Sequence, residues 1–167
     1  QQLFDKKIVV FHNAKFDMGF MEYELNFTFP DWEDTMLLHY CLEEAVGTHG
    51  LKPLALRFTD LGDYERELDD YKKAWARRNK VKLADFNYGM LPAEILAPYA
   101  CKDGDATFQL YNKFKPLVDK SKEFTNLYTK ILKPATIALK RLEKNGGPVD
   151  VQAVDALQNS YQIDVEE

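Results

Sequence analysis

Three observations predict a helix-rich α/β chain with only a partial sheet. Apolar residues recur at helical spacing through most of the 167 residues. Only one run, Lys7 to Phe11 (Lys-Ile-Val-Val-Phe), is short, β-branched and apolar enough to read as a buried strand. A lone strand cannot satisfy its own backbone, so partners must come from a second short strand or from a preceding hairpin.

Taken in order, Asn13 follows that strand and is expected to cap a helix with its side chain. The helix should run over residues 14–25, where Phe16, Phe20 and Tyr23 recur at near-helical spacing. Phe27 to Pro30 reads as short and extended, and Asp34 to Leu38 is open between a strand end and the first turn of a helix. Leu51 to Phe58 reads as a short helix. Tyr64, Leu68, Tyr71 and Trp75 fall at i, i+4, i+7 and i+11, which predicts one amphipathic helix over 63–79. After a loop through Asn87-Tyr88-Gly89, Pro98 suits a first helical position, and the helix it opens is expected to stop at Pro116. Phe124, Leu127, Tyr128, Ile131, Leu132, Leu139 and Leu142 describe a long helix that Pro134 should kink or interrupt. Asn145-Gly146-Gly147-Pro148 should end it, and Asp150 can cap a last helix carrying Val151, Val154, Leu157 and Tyr161. There is no internal repeat and no low-complexity segment.

The apolar content of 46% and aromatic content of 13% belong to a folded domain with a real core. No apolar run is long enough to span a membrane, and no signal-peptide pattern opens the chain, so the expected location is the cytoplasm. Cys41 and Cys101 lack metal-type spacing and read as reduced thiols. A net charge of −5 argues against a protein that grips duplex DNA mainly through its phosphates. It leaves room for a carboxylate-rich metal site, whose charge bound cations cancel. Arg66, Lys72, Lys73, Arg77, Arg78, Lys80 and Lys82 cluster, but Asp69 and Asp70 interleave, so a solvated helix face is expected ahead of a nucleic-acid contact. His12, His39 and His49 match no zinc spacing and read first as satisfied polar or surface residues.

Two short carboxylate motifs stand out. His12-Asn13-Ala14-Lys15-Phe16-Asp17 sits where a strand feeds a helix, and in open α/β sheets sites gather at the carboxyl ends of strands. Tyr99-Ala100-Cys101-Lys102-Asp103 places a phenol and a carboxylate four residues apart on one helix face. A phenol beside a carboxylate can orient an attacking water, and carboxylate oxygens suit Mg²⁺ or Mn²⁺ over zinc. Taken singly, each of these residues is more often an ordinary surface acid or rim aromatic.

In their order and context, however, the two segments resemble the second and third motifs of the proofreading 3′–5′ exonuclease domain of family A DNA polymerases. Further matches follow in sequence. Trp32 to Tyr40 contains the Asp-Thr-Met-Leu segment at Asp34–Leu37, His49 to Phe58 resembles the next helix, and Tyr99 to Leu110 (YACKDGDATFQL) the third motif. Leu132 to Val151 (LKPATIALKRLEKNGGPVDV) resembles the stretch leading into the polymerase thumb. The resemblance covers nearly the whole chain and points to phage-type members with a catalytic tyrosine.

What the resemblance implies is an RNase H-like fold. Residues 1–120 would form a partial exonuclease domain and residues 121–167 a helical connection into the thumb. Asp17 and Asp103 would be metal ligands and Tyr99 would position the nucleophilic water. His12, Asn13, Phe16 and Arg57 would contact nucleic acid. Two Mg²⁺ or Mn²⁺ ions would stabilise the entering and leaving oxygens. The partners implied are a single-stranded DNA 3′ end, held weakly, and the remainder of a polymerase, in a host cytoplasm if phage-encoded.

One departure matters. The family's first motif, Asp-x-Glu on a first strand, has no counterpart in residues 1–12. Asp31-x-Glu33, Asp63-x-Glu65 and Asp164-x-Glu166 match its letters but follow the second motif. The expectation is therefore an N-terminally truncated domain, holding part of its mixed sheet and two of four carboxylates, and inactive alone. The alternative is a non-catalytic DNA- or protein-interaction module that complements a partner carrying the missing strands.

Overall fold

The computed structural model describes residues 1–166, without the side chains of Asn159 and of 162–166. The side chains of the Asp164-x-Glu166 match therefore lie outside the described residues. The architecture is helix-rich α/β. Strand β1 (Val9–Phe11) leads into helix α1 (Ala14–Leu25), which returns the chain to β2 (Trp32–Asp34), parallel to β1 with Val9 opposite Trp32 and Phe11 opposite Asp34. Among the described residues these two strands form the whole sheet. Helices α2 (Thr35–Leu42), α3 (Leu51–Phe58), α4 (Arg66–Asn79) and the 27-residue α5 (Ala93–Asp119) follow. Then come α6 (Lys122–Asn126), a π-helical turn (Leu127–Leu132), α7 (Lys133–Asn145) and α8 (Val151–Glu166).

The open question at Asp34 resolves both ways: this residue ends β2 and caps α2. Its carboxylate accepts from the backbone N–H groups of Met36 at 2.9 Å and Leu37 at 3.4 Å. The same carboxylate accepts from Asn13 N–H at 3.1 Å and Ala14 N–H at 2.8 Å, so it caps α1 as well. This corrects the expectation for Asn13. That residue is left-handed (φ 67°, ψ 56°) and its side chain makes no capping bond. A buried carboxylate already serves those donors, and Asn tolerates the αL backbone that brings the chain past it.

Helix boundaries departed from the proline signals. Pro98 and Pro116 both lie inside α5, which opens five residues before Pro98 would have placed it and runs to Asp119. Packing of α5 against α2 and α3 through Ala106, Leu110, Phe114 and Val118 outweighs the two lost N–H bonds. At Pro134 the regular α-helix is interrupted by a π turn at Leu127–Leu132, after which α7 begins with the proline in its first turn. Tyr64 precedes α4 rather than lying in it, so this helix starts at Arg66, later than the 63 the stripe suggested. Gly146 (φ 65°) ends α7, and Asp150 caps α8 by accepting from Ala153 N–H at 3.0 Å.

Two main clusters make the core. Leu38, Cys41, Leu54, Leu110, Phe114, Val118 and Tyr128 pack between α2, α3, α5 and the π turn. Phe11, Ala14, Met18, Phe29 and Trp32 pack between the sheet and α1, with Ile137 of α7 against them. Tyr128 ties the two together, since its buried hydroxyl accepts from Asp34 N–H at 2.9 Å. β1 is less enclosed than a strand buried on both faces: Phe11 is buried, Val9 and Val10 are half-buried and Ile8 is exposed. Its edge away from β2 lines a cavity instead of meeting another strand. The basic stretch on α4 reads as a solvated face, with Arg66 near Asp70 and Lys72 near Asp69.

Replacing Asp34 by Ala removes the acceptor for four backbone donors. An unfolding-free-energy loss of about 3 kcal/mol or more is expected in urea melts, from two lost caps on a charged acceptor. Tyr128→Phe should cost about 1 to 2 kcal/mol, because it strands one buried N–H.

Candidate nuclease site

The open edge of β1, its junction with α1 and the middle of α5 converge around a cavity of about 660 Å³. Its walls carry His12 and Asp17 from the β1–α1 junction, and Asp103, Gly104 and Thr107 from α5. The two motif carboxylates, far apart in sequence, thus face one space. α1 brings Asp17 there because Asp34 pins its first turn, and α5 brings Asp103 because Ala106 and Leu110 are buried on the adjoining face.

Each acid has its own electrostatic setting. Burial, then the neighbouring Asp34 charge, raises the Asp17 carboxyl above the usual carboxylate range. Burial also pushes Asp34 up, against the pull of four backbone N–H donors. Asp103 is held differently. Lys52 of α3 forms an ion pair with its Oδ1, and Tyr64 donates its hydroxyl proton to the same oxygen at 2.7 Å. Lys52 Nζ also lies 4.2 Å from the Tyr99 ring centroid and 4.5 Å from that of Tyr64. Burial together with the Asp103 charge drives the Tyr99 phenol above its ordinary range. The same causes put Tyr64 at about 12. Both phenols are therefore protonated at neutral pH and act as donors.

His12 stacks no charge in this site. Its Nδ1 lies 2.9 Å from Thr35 Oγ1, its Nε2 is buried with no partner, and desolvation lowers its pKa to about 4. The histidines as a group are more buried than their spacing suggested. His39 is buried and its Nδ1 lies 2.8 Å from Nδ1 of His49, whose own Nε2 is unpartnered.

The remaining expected residues fall elsewhere. Tyr99 sits behind Asp103, over Lys52, rather than in the cavity wall. Asn13 contributes its backbone N–H to Asp34. Phe16 points into a separate groove between α1 and α7. Arg57, at the far end of α3, donates to Glu43 at 2.9 Å and lies over Phe58. Sequence reasoning passed over Lys52, Tyr64 and Tyr128, whose roles depend on contacts across helices, and over the second cap from Asp34. Among the described residues no three His, Cys, Asp or Glu side chains lie close enough to hold a metal ion.

The family model described as 3′–5′ exonuclease matches residues 1–119. The chain is 44% identical over 161 residues to a DNA polymerase of Escherichia phage T5, covering 93% of this chain and 19% of that protein. It is 31% identical over 156 residues to a DNA polymerase of Bacillus phage SP01, covering 92% and 16%. With DNA polymerase I of Rhizobium leguminosarum the identity is 29% over 126 residues, covering 75% and 11%. The chain thus spans about a fifth or less of the length of these curated relatives. No solved structure matches it.

Two outcomes test the electrostatics. Lys52→Met should lower stability by about 1 kcal/mol, a figure kept small because both partners are partly exposed. Tyr64→Phe should then cost less in the Lys52→Met background than alone, as a double-mutant cycle would measure. The His12 ring stays neutral in the fold down to about pH 4, whereas the unfolded chain protonates it near 6.5. Its contribution to stability is therefore complete above pH 6.5 and lost as pH falls toward 4, on the order of 3 kcal/mol. His12→Gln should flatten that part of the stability–pH curve, leaving the share of His39, which burial shifts the same way.

Proposed function

Because the chain belongs to the 3′–5′ exonuclease family of family A DNA polymerases, we propose that it is the proofreading part of such a polymerase, with an RNase H-like fold. The parent protein would hydrolyse DNA from a single-stranded 3′ end in the cytoplasm. Residues 1–120 would carry the exonuclease unit and 121–167 the helical lead into the thumb. The observation that carries this reading is the shared cavity of Asp17 and Asp103 beside β1, where that strand gives way to α1.

Within that site Asp17 and Asp103 would be the carboxylates that this chain lends to a pair of Mg²⁺ or Mn²⁺ ions. The residues in hand do not complete such a site. No third ligand joins them among the described residues, and Asp103 already holds Lys52 as its counter-cation. The Asp-x-Glu carboxylates would come from another segment, in cis or in trans. What this chain contributes is positioning. Tyr99, kept protonated beside Asp103, would orient a water by donating or sharing its hydroxyl hydrogen. His12 would offer a neutral ring nitrogen at the cavity wall, and Asn13, Phe16 and Arg57 would touch the DNA on its approach. The open edge of β1 also favours a second reading, a module that complements a partner by strand addition.

The isolated chain is expected to show little or no Mg²⁺-dependent digestion of a single-stranded 3′ end. Fusing strands that carry Asp-x-Glu ahead of Gln1 should produce activity, with Tyr99→Phe slowing it about 10²-fold and Asp103→Ala abolishing it. Robust digestion by the isolated chain, lost on Asp17→Ala, would overturn the need for a second segment. A fused protein that folds and binds Mn²⁺ yet leaves DNA uncut would overturn the roles given to Asp17, Tyr99 and Asp103.

A further inference from the structure

We infer that the chain pairs with a second copy of itself, each copy seating its helix α8 in the groove between α1 and α7 of the other. The groove measures about 760 Å³. On its α1 wall Phe20 and Tyr23 are 62% and 81% exposed, and its α7 wall carries Lys140, Arg141 and Lys144. Lys140 pairs with Glu22 and Lys15 with Glu143, which ties the two walls together. Among the described residues Arg141 and Lys144 have no carboxylate at ion-pair distance. Exposed aromatic rings beside an arginine have the composition of a protein interface, and an apolar groove between helices takes the apolar face of a third.

Charge and shape single out the occupant. Residues 150–167 hold five acids (Asp150, Asp155, Asp164, Glu166 and Glu167) and no Lys or Arg, so this segment accounts for the whole net charge of −5. A segment of one sign complements the unpaired Arg141 and Lys144. Val151, Val154, Leu157 and Tyr161 recur at helical spacing along α8 and are 49% to 65% exposed. Asp155 stands four residues from Val151, at the edge of that stripe. Lengths agree as well: Val151 to Tyr161 spans about 15 Å of helix, and Lys15 to Tyr23 of the α1 wall about 12 Å.

The contact lies between chains because within one chain both halves stay open. Helix α8 is formed, yet its stripe and the groove both face solvent. Gly146 at φ 65° and Pro148 break the helical path from α7 into α8. With a groove and a helix on every copy, a twofold pair covers both grooves and both stripes and leaves no free end. This surface is separate from the edge of β1 and from the cavity of Asp17 and Asp103, and the inference does not rest on the exonuclease reading.

Sedimentation equilibrium of the full chain up to about 0.2 mM, a range that captures weak interfaces, tests the inference. The wild type should pass from monomer to dimer as concentration rises. Leu157→Asp on α8 and Phe20→Asp in the groove should each weaken pairing about tenfold or more, since each strikes both contacts of the pair. Mixed in equal amounts, these two variants should form a heterodimer tighter than either homodimer, because one intact helix then meets one intact groove. That rescue separates a lost contact from a lost fold. Arg141→Glu with Lys144→Glu should also weaken pairing about tenfold, while Arg77→Glu with Arg78→Glu on α4 should change it by less than about twofold. The inference is overturned if the wild type stays monomeric throughout, or if it forms assemblies larger than a dimer. It is equally overturned if Leu157→Asp or Phe20→Asp pairs like wild type, if their mixture is no tighter than its parents, or if the α4 pair costs as much as the α7 pair. A monomeric chain that binds dT12 and loses it on Phe20→Asp would put nucleic acid in the groove in place of a second copy.

Discussion

The arrangement hangs on one buried carboxylate. Asp34 terminates β2, caps its own helix and reaches across to cap α1, so four backbone donors from two helix N-termini converge on its two oxygens. Two positive helix ends facing each other at the edge of a two-stranded sheet would repel, and the anion between them turns that repulsion into a joint. The phenol of Tyr128, far along the chain, accepts from the backbone of the same residue and brings the π turn to the joint. The direction in which α1 leaves the sheet, and with it the placement of Asp17, follows from this contact.

A second cation–anion contact sets the character of the cavity. Asp103 would face Asp17 as an uncompensated acid were it not for Lys52, which is flanked by two tyrosine rings and hydrogen-bonded to one of them. The Asp103 carboxylate, then the Tyr64 hydroxyl, hold the lysine charged where burial would otherwise discourage it. Tyr64 and Tyr99 are in turn kept protonated by the same acid. The negative charge of Asp103 is thus compensated within the chain, by Lys52 and the Tyr64 hydroxyl.

The surface carries more apolar area than the core requires. Val151, Val154, Leu157 and Tyr161 of α8 are all exposed, as are Leu139 and Leu142 of α7 and the aromatic face of α1. Among the described residues no helix is long and apolar enough to cross a membrane.

Local rules in the sequence determined much of this. The β-branched run at residues 8–11, the periodic stripes of α1 and α4, the short helix at 51–58, the Gly146 stop and the Asp150 cap each act through neighbours a few residues away, and each formed near its expected place. The two carboxylate motifs were legible for the same reason, since residue type and spacing within one turn fix which side chains share a face. Only the tertiary structure decided the rest. Pro98 and Pro116 read as boundaries because their cost is local, yet packing along α5 overrode both. Asn13 had the chemistry of a cap, but a carboxylate from the neighbouring strand reached its donors first. Lys52 and Tyr64 carry no local signal, because their role exists only once α3 and the segment before α4 lie against α5. Spacing could nominate Asp17 and Asp103, but their meeting across one cavity depends on the direction of two helices, which long-range contacts set.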